Sequence, residues 1–257
     1  PVVGPLLAGQ VRMTFHEGMP AHDRWLNEGE ALPAETTRWS GRNFLLPRLP
    51  LRYDEWGIRA SWKAPVLARL AADVALPPGT HRLVLRARGL SRLWVDGTLV
   101  ASTSAQKGDS GGHDPVQPVP TPPLPGLRPV IFGMQEVSGD VLVKTGAPGR
   151  VVLENMVGGK RYRPEPGELT VAVQTADGRS YTLLQPAGVK SEPVALTDAA
   201  MSNAMAGIED SIAAFDDRTR RAAAATQEEF WRKRHEIART WAAAHPASAV
   251  PVAGRHP

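Results

Sequence analysis

The stretch Arg92-Leu93-Trp94-Val95-Asp96-Gly97-Thr98-Leu99-Val100 constrains the fold of this chain most. Polar and apolar residues alternate up to Asp-Gly and the alternation resumes with Leu-Val. That is the pattern of a strand, a two-residue turn needing positive φ, and a return strand. Just upstream, Leu76-Pro77-Pro78-Gly79-Thr80 forms a turn between Leu67–Leu76, read as a strand, and His81–Arg88, which alternates again. Two consecutive hairpins are therefore expected.

Strand signals recur on both sides of an interruption. Val11–Phe15 alternates before the hairpins; after them come Val141–Val143, Arg150–Val157, Leu169–Gln174 and Ser180–Leu184, separated by Gly or Pro, with Ala176-Asp177-Gly178-Arg179 as a further hairpin turn. Between the groups, residues 105–129 combine the glycine-rich run Gly108–Gly112 with a proline-dense stretch, Pro115–Pro129, which favours extended polyproline geometry over sheet interior. This segment reads as a surface excursion between strands; its other candidate reading is a ligand for a module that recognises proline-rich peptides. Each flanking group alone has too few strands to close two faces, so residues 9–190 are expected to form one antiparallel β-sandwich. A content of 24 Gly and 24 Pro in 257 residues suits such a turn-rich protein.

The last zone changes character. From Asp198 to Ala244 there is no proline and the sole glycine is Gly207, while Thr197 or Asp198 is a natural N-cap. A long helix is predicted over residues 197–245, reaching roughly 55 Å between Ile208 and Ala244 at 1.5 Å per residue. Ile208, Ile212 and Phe215 share one face, as do Phe230, Ile237 and Trp241, and Ala222–Ala225 permits close approach of a partner. Asp216–Arg220, Asp217–Arg221 and Glu229–Lys233 are acid-before-base pairs at i,i+4. Pro246 and Pro251 end the helix in a linker, residues 246–257. The fold class is thus mainly β, a sandwich followed by a long C-terminal α-helix.

Charge and composition exclude several classes. A net charge of +4 arises from Arg dispersed among Asp and Glu, unlike the clustered cations and interleaved aromatics of a nucleic-acid binder. No apolar run is long enough to span a membrane. With no cysteine, disulfides, thiol catalysis and Cys-held zinc or haem are excluded within this segment. The chain opens at Pro1 without an initiator Met and reads as part of a longer protein.

Within the two hairpins, Ser91-Arg92-Leu93-Trp94-Val95-Asp96-Gly97 resembles the S-R-L-W-I-D-G strand of the PA14 domain, a β-sandwich module of many extracytoplasmic proteins. More widely, the order of VRMTFHEGMPAHDRWLNEGE, the run from FLLPRLPLRYDEW to SRLWVDG, VVLENMVGGK, AVQTADGRSYTLL, LTDAA and DDRTRRAAAATQEEFWRKRHEIARTWAAAHP is similar to a region of planctomycete-type secreted proteins. Those carry a cytochrome-c-like domain, a PA14-like region and the uncharacterised domains DUF1549 and DUF1553. The resemblance places a haem-binding domain upstream and makes Gly254-Arg255-His256-Pro257 the approach to the DUF1549 domain. Sugar-binding PA14 adhesins hold calcium on two adjacent aspartates before this strand; those positions fall here on Arg88 and Gly89. A cation opposes Ca²⁺, which wants several hard oxygen ligands, so the adhesin mechanism is not expected to transfer. Asp96 reads as a turn residue.

Other polar clusters carry less. His16-Glu17 and His22-Asp23 have residue types that zinc or a general base would use, but the spacing matches no ligand motif, and they read as polar residues around a strand end. His113 and Asp114 read as solvated. His235 and His245 lack a metal partner at i±3 or i±4. Val157-Gly158-Gly159-Lys160 lacks the phosphate-loop spacing and reads as a turn. No nucleophile elbow is present. The chain holds Trp25, Trp39, Trp56, Trp62, Trp94, Trp231 and Trp241, and flat indoles serve both sugar stacking and β-sandwich cores. Trp62 and Trp94 are expected to be buried; Trp39 and Trp56 are the candidate exposed, ligand-binding positions.

The chain is therefore expected to be a non-enzymatic, PA14-like accessory module of a larger secreted protein, periplasmic or extracellular, needing no metal or cofactor. It either recognises a glycan or cell-surface polymer without an adhesin-type calcium site, or spaces an upstream haem domain from downstream domains. Its expected partners are other domains of the parent chain and a polysaccharide, with no nucleic acid and no membrane span.

Overall fold

The computed structural model describes residues 4–49, 52–53, 59–105, 123–130, 133–159, 162–164 and 168–244, the side chains at 52–53, 59–60, 209–228, 230–231 and 242 excepted. The elements are β1 (Val11–Glu17), β2 (Glu35–Gly41), β3 (Leu45–Leu46), β4 (Arg52–Tyr53), β5 (Arg59–Ala60), β6 (Val66–Val74), β7 (Gly79–Ala87), β8 (Leu90–Val95), β9 (Thr98–Thr103), β10 (Gln135–Val143), β11 (Gly149–Val157), β12 (Leu169–Gln174), β13 (Tyr181–Leu183) and α1 (Asp198–Ala244). One compact unit comprises Pro1–Arg52 and Arg59–Ser211, and holds both large sheets and the first turns of α1; the other comprises Tyr53–Ile58 and Ile212–Pro257.

The fold is mainly β. One sheet has six strands in the order β2-β1-β6-β11-β8-β9; the other runs β10-β7-β12-β13, with β3 also on β12. Every pairing in them is antiparallel. Strands from before and after residues 105–129 hydrogen-bond within both sheets: β11 lies between β6 and β8, and β10 pairs with β7. Of the two expected hairpins only the second forms: β6 and β7, joined at Pro77-Pro78, lie in different sheets, whereas Asp96-Gly97 closes β8 on β9 with positive φ at both turn residues, 46° and 79°, which is why Asp and Gly occupy them.

Register decides which side chains meet. Trp39 pairs with Met13, Met13 with Leu70, Leu70 with Leu153, Leu153 with Leu93, and Leu93 with Ala101. This row crosses the whole sheet, and all six side chains are buried. Leu83, Leu85 and Val171, buried on β7 and β12, are the corresponding residues of the other sheet. The adjacent row on the opposite face of the first sheet is polar: Thr14, Arg69, Glu154 and Arg92 stand on neighbouring strands.

Both sheets are covered on their second face. The loop after β1 brings Met19, Trp25, Leu26 and Leu32 onto Leu67 and Met156. On the other sheet, Leu124, Leu127 and Leu196 join Ala200, Met201 and Ala204 of α1 against Val84, Ala172 and Leu183. The reading of residues 105–129 as a surface excursion is corrected for its last part: Leu127 is buried and bridges Leu196 in parallel, because the apolar outer face of β7 and β12 there needs a cover. Residues 106–122 lie outside the described residues. Thr197 is the N-cap of α1, its hydroxyl accepting the Ala200 amide at 3.1 Å.

Phe15 is fully buried, with Trp39 at 4.3 Å and Trp62 at 5.8 Å between ring centroids. Phe15→Ala should therefore cost about 3–5 kcal/mol of unfolding free energy, read as a lower urea midpoint at unchanged slope.

Candidate functional site

The turn between β7 and β8 holds Arg88 and Gly89, the positions where the resemblance would place a calcium-binding aspartate pair. Gly89 has φ +87°, and a Cβ there would lie 2.6 Å from the Met156 carbonyl oxygen, so local geometry alone requires glycine. Internal bonds close the turn: the Asn155 amide donates to the Arg88 carbonyl at 2.9 Å and to Ser91 Oγ at 2.8 Å, and Thr103 Oγ1 donates to the Gly89 carbonyl at 2.6 Å. The Arg88 side chain is 9% exposed and, with Glu168 and Asn155, lines a cavity of about 10 Å³, room for one water. A buried guanidinium thus stands where a metal would need carboxylate oxygens.

Glu168 is buried beside it. Burial pushes its carboxyl above the ordinary range, opposed by the Arg86 guanidinium at 3.9 Å and by a hydrogen bond from Thr170 Oγ1 at 3.0 Å. Arg86 is itself buried; it pairs with Glu136 at 2.6 Å and donates to the Arg128 carbonyl at 2.6 Å. Arg128 pairs at 3.1 Å with Asp198, in the first turn of α1. This chain of charges ties the segment at 123–130 to the sheet and the helix.

The tryptophans fall differently from the sequence expectation. Trp39 is 9% exposed, so its expected exposure is corrected: pairing with Met13 turns the indole into the core, edge-on to Trp62 at 6.0 Å. Trp56 lies outside the described residues. Trp62 is buried as expected, whereas Trp94 is half-buried on the outer face. There the Arg92 guanidinium sits 3.7 Å from the Trp25 ring centroid and 5.3 Å from that of Trp94, and donates to Glu154 at 3.2 Å. Arg69 donates to the same carboxylate at 2.8 Å. This stack fastens the loop at 18–34 to the sheet. The loop is also internally braced: Arg24 and the Asn27 amide bind Glu30 and hold its carboxyl down at about 2.

The histidine clusters stay apart. His16 is buried with Nδ1 2.7 Å from the Pro33 carbonyl, Glu17 accepts the Lys63 amide, and His22 lies beside Asp23 and stacks on Tyr162. Among the described residues no group of three or more His, Cys, Asp or Glu could hold a metal ion. No described helix is long and apolar enough to cross a membrane.

Open concavities occur among the described residues at two places. A cleft of about 260 Å³ at the β8–β9 and β10–β11 turns is lined mainly by Val, Leu and Ala, with Asp96 and Lys144 at its rim. A groove of about 540 Å³ lies between the β2–β3 corner and the first turns of α1. Its polar members are Ser40, Arg42, Asn43, Ser191 and Asn203, over a floor that includes Met13, Leu45 and Ile208. These residues come from the end of β2, the corner after it, the segment between β13 and α1, and α1 itself, so no local pattern links them; the isolated Gly207 also lines the groove.

No family model matches the chain, and no curated protein matches it. Among solved structures it is similar to a PA14 sugar-binding domain from an RTX adhesin, with 11% identity over 71% of this chain and 100% of that one, at a TM-score of 0.43. It is similar also to the PA14 domain of the MpAFP antifreeze protein, with 10% identity, 74% and 97% coverage and a TM-score of 0.45. A third similar structure is the A domain of epithelial adhesin 9 from Candida glabrata in complex with a Galb1-4GlcNAc ligand, with 7% identity, 69% and 89% coverage and a TM-score of 0.38. At such TM-scores the site is read from this chain's own geometry.

Two outcomes are expected. Gly89→Ala should destabilise the fold by about 1–3 kcal/mol in chemical denaturation, from the left-handed φ and the Met156 clash together. For Glu168, a folded value raised above the unfolded one means a contribution present in full below the unfolded carboxyl range and lost as pH rises through the raised value. Wild type should therefore lose stability relative to Glu168→Gln as pH rises across that window, in paired thermal melts; a gap that stays constant with pH would count against it.

Proposed function

We propose that the chain is a non-catalytic accessory module of a larger secreted protein: a PA14-like β domain, residues 9–190, carrying a helical connector, residues 197–245, that holds neighbouring domains of its parent chain at a set spacing. The setting is periplasmic or extracellular. The observation that carries this reading is the pair Ile237 and Trp241, 70% and 54% exposed and one helical turn apart. Around them Arg232, Lys233, Glu236 and Arg239 are exposed, and Lys233 pairs with Glu229 at 2.8 Å. Large apolar side chains left in water on so charged a helix favour a contact surface. The resemblance of residues 216–246 supplies the class of partner, another domain of the same polypeptide, with a haem domain before the module and a DUF1549 domain after it.

Recognition of a glycan or cell-surface polymer is the second reading, and the polar groove at the β2–β3 corner favours it. Stacking on Trp39 is not part of that reading, since its indole is enclosed.

Hydrogen exchange tests the spacing role. Amides of residues 234–244 should exchange at least about tenfold more slowly in the full parent polypeptide than in this chain, and Ile237→Ser with Trp241→Ser should abolish the difference. Equal exchange in the two would remove the basis for the connector.

A further inference from the structure

We infer that the groove between the β2–β3 corner and the start of α1 binds a carboxylated sugar unit, without a metal. The inference rests on the glycan reading and names both the site and the ligand class. The volume, about 540 Å³, lies in the range of small-ligand sites. Its walls carry a single cation, Arg42, and no acidic residue. Arg42 is exposed and enters no ion pair among the described residues. The neighbouring Asn43 carries a buried amide oxygen with no hydrogen-bond partner.

Gly207 is the second, independent observation. A glycine inside a helix is less favourable than alanine, and one is kept where packing leaves no room for a side chain. Here there is room: a Cβ at 207 would meet nothing within 4 Å. Packing does not require the glycine, yet it lines the groove, and any larger residue would narrow it.

The chemistry of the lining selects the ligand. A planar guanidinium binds carboxylate through paired hydrogen bonds. Ser40, Ser191, Asn43 and Asn203 offer uncharged donors and acceptors suited to hydroxyl groups. The apolar floor suits the C–H face of a pyranose ring. One cation among four neutral polar side chains fits a ligand with one carboxylate and several hydroxyls per unit, whereas an acidic peptide would bring several charges to a single Arg.

The test uses the whole chain with short oligomers of galacturonate, glucuronate and mannuronate, their neutral hexose counterparts, a poly-glutamate peptide, and EDTA throughout. Isothermal titration and amide chemical shifts should show uronate binding that exceeds neutral binding about tenfold or more. Binding should fall about tenfold in Arg42→Gln, recover in part in Arg42→Lys, and be lost in Gly207→Leu. Because position 207 has open space, Gly207→Leu should melt at or above the wild-type temperature, so loss of binding there is not loss of fold. Neutral sugars binding as well as uronates, with sensitivity to Gly207→Leu, would overturn the carboxylate specificity and leave the glycan reading standing. No sugar binding at all, or preference for poly-glutamate, would overturn both.

Discussion

The row Trp39–Met13–Leu70–Leu153–Leu93–Ala101 is the constraint on which the first sheet depends. Each strand contributes one buried side chain, so a one-residue slip of any strand would put a core residue in the row of Thr14, Arg69, Glu154 and Arg92. The penalty is large in both directions. Glu154 is buried and satisfied only while Arg69 and Arg92 stand on the flanking strands, and an apolar neighbour would leave the carboxylate unpaired. Apolar burial on one face and charge pairing on the other thus specify the same register.

Coverage of both outer faces follows from that arrangement. Arg92, placed outward by the register, lies between Trp25 and Trp94 and fastens the loop at 18–34 over Leu67 and Met156. On the second sheet Arg86 does the equivalent work, holding the Arg128 carbonyl while Leu127 packs with Leu196 and the first turns of α1. A guanidinium organises the cover in each case, half-buried at Arg92 and buried at Arg86, and each cover draws on chain that sequence periodicity reads as loop.

These covers also limit where function can lie. The turn at Arg88-Gly89 is tied to Asn155 and Thr103, and its guanidinium and Glu168 enclose space for no more than a water. Open concavity among the described residues lies elsewhere, at the Asp96 end of the strands and along the β2–β3 corner. Among the described side chains of the helix, the large exposed apolar ones are Ile237 and Trp241. The proposed roles attach to these features rather than to the adhesin-type position.

The sequence by itself determined the strands with strong alternation, the Asp96-Gly97 turn and the helix start at Thr197 or Asp198, because each depends on a local period, a φ requirement or a capping side chain. Only the tertiary structure decided the fate of Trp39, Trp94 and Leu127. An indole on a strand can face either way, and the pairing of Trp39 with Met13 puts it in the core, while Trp94, one residue beyond the inward Leu93, points out to Arg92. The groove was equally beyond local reading, since Arg42, Asn43, Ser191 and Asn203 are brought together by the docking of α1 and carry no shared spacing. Side-chain direction and long-range adjacency follow from strand partners distant in sequence, and no local pattern encodes them.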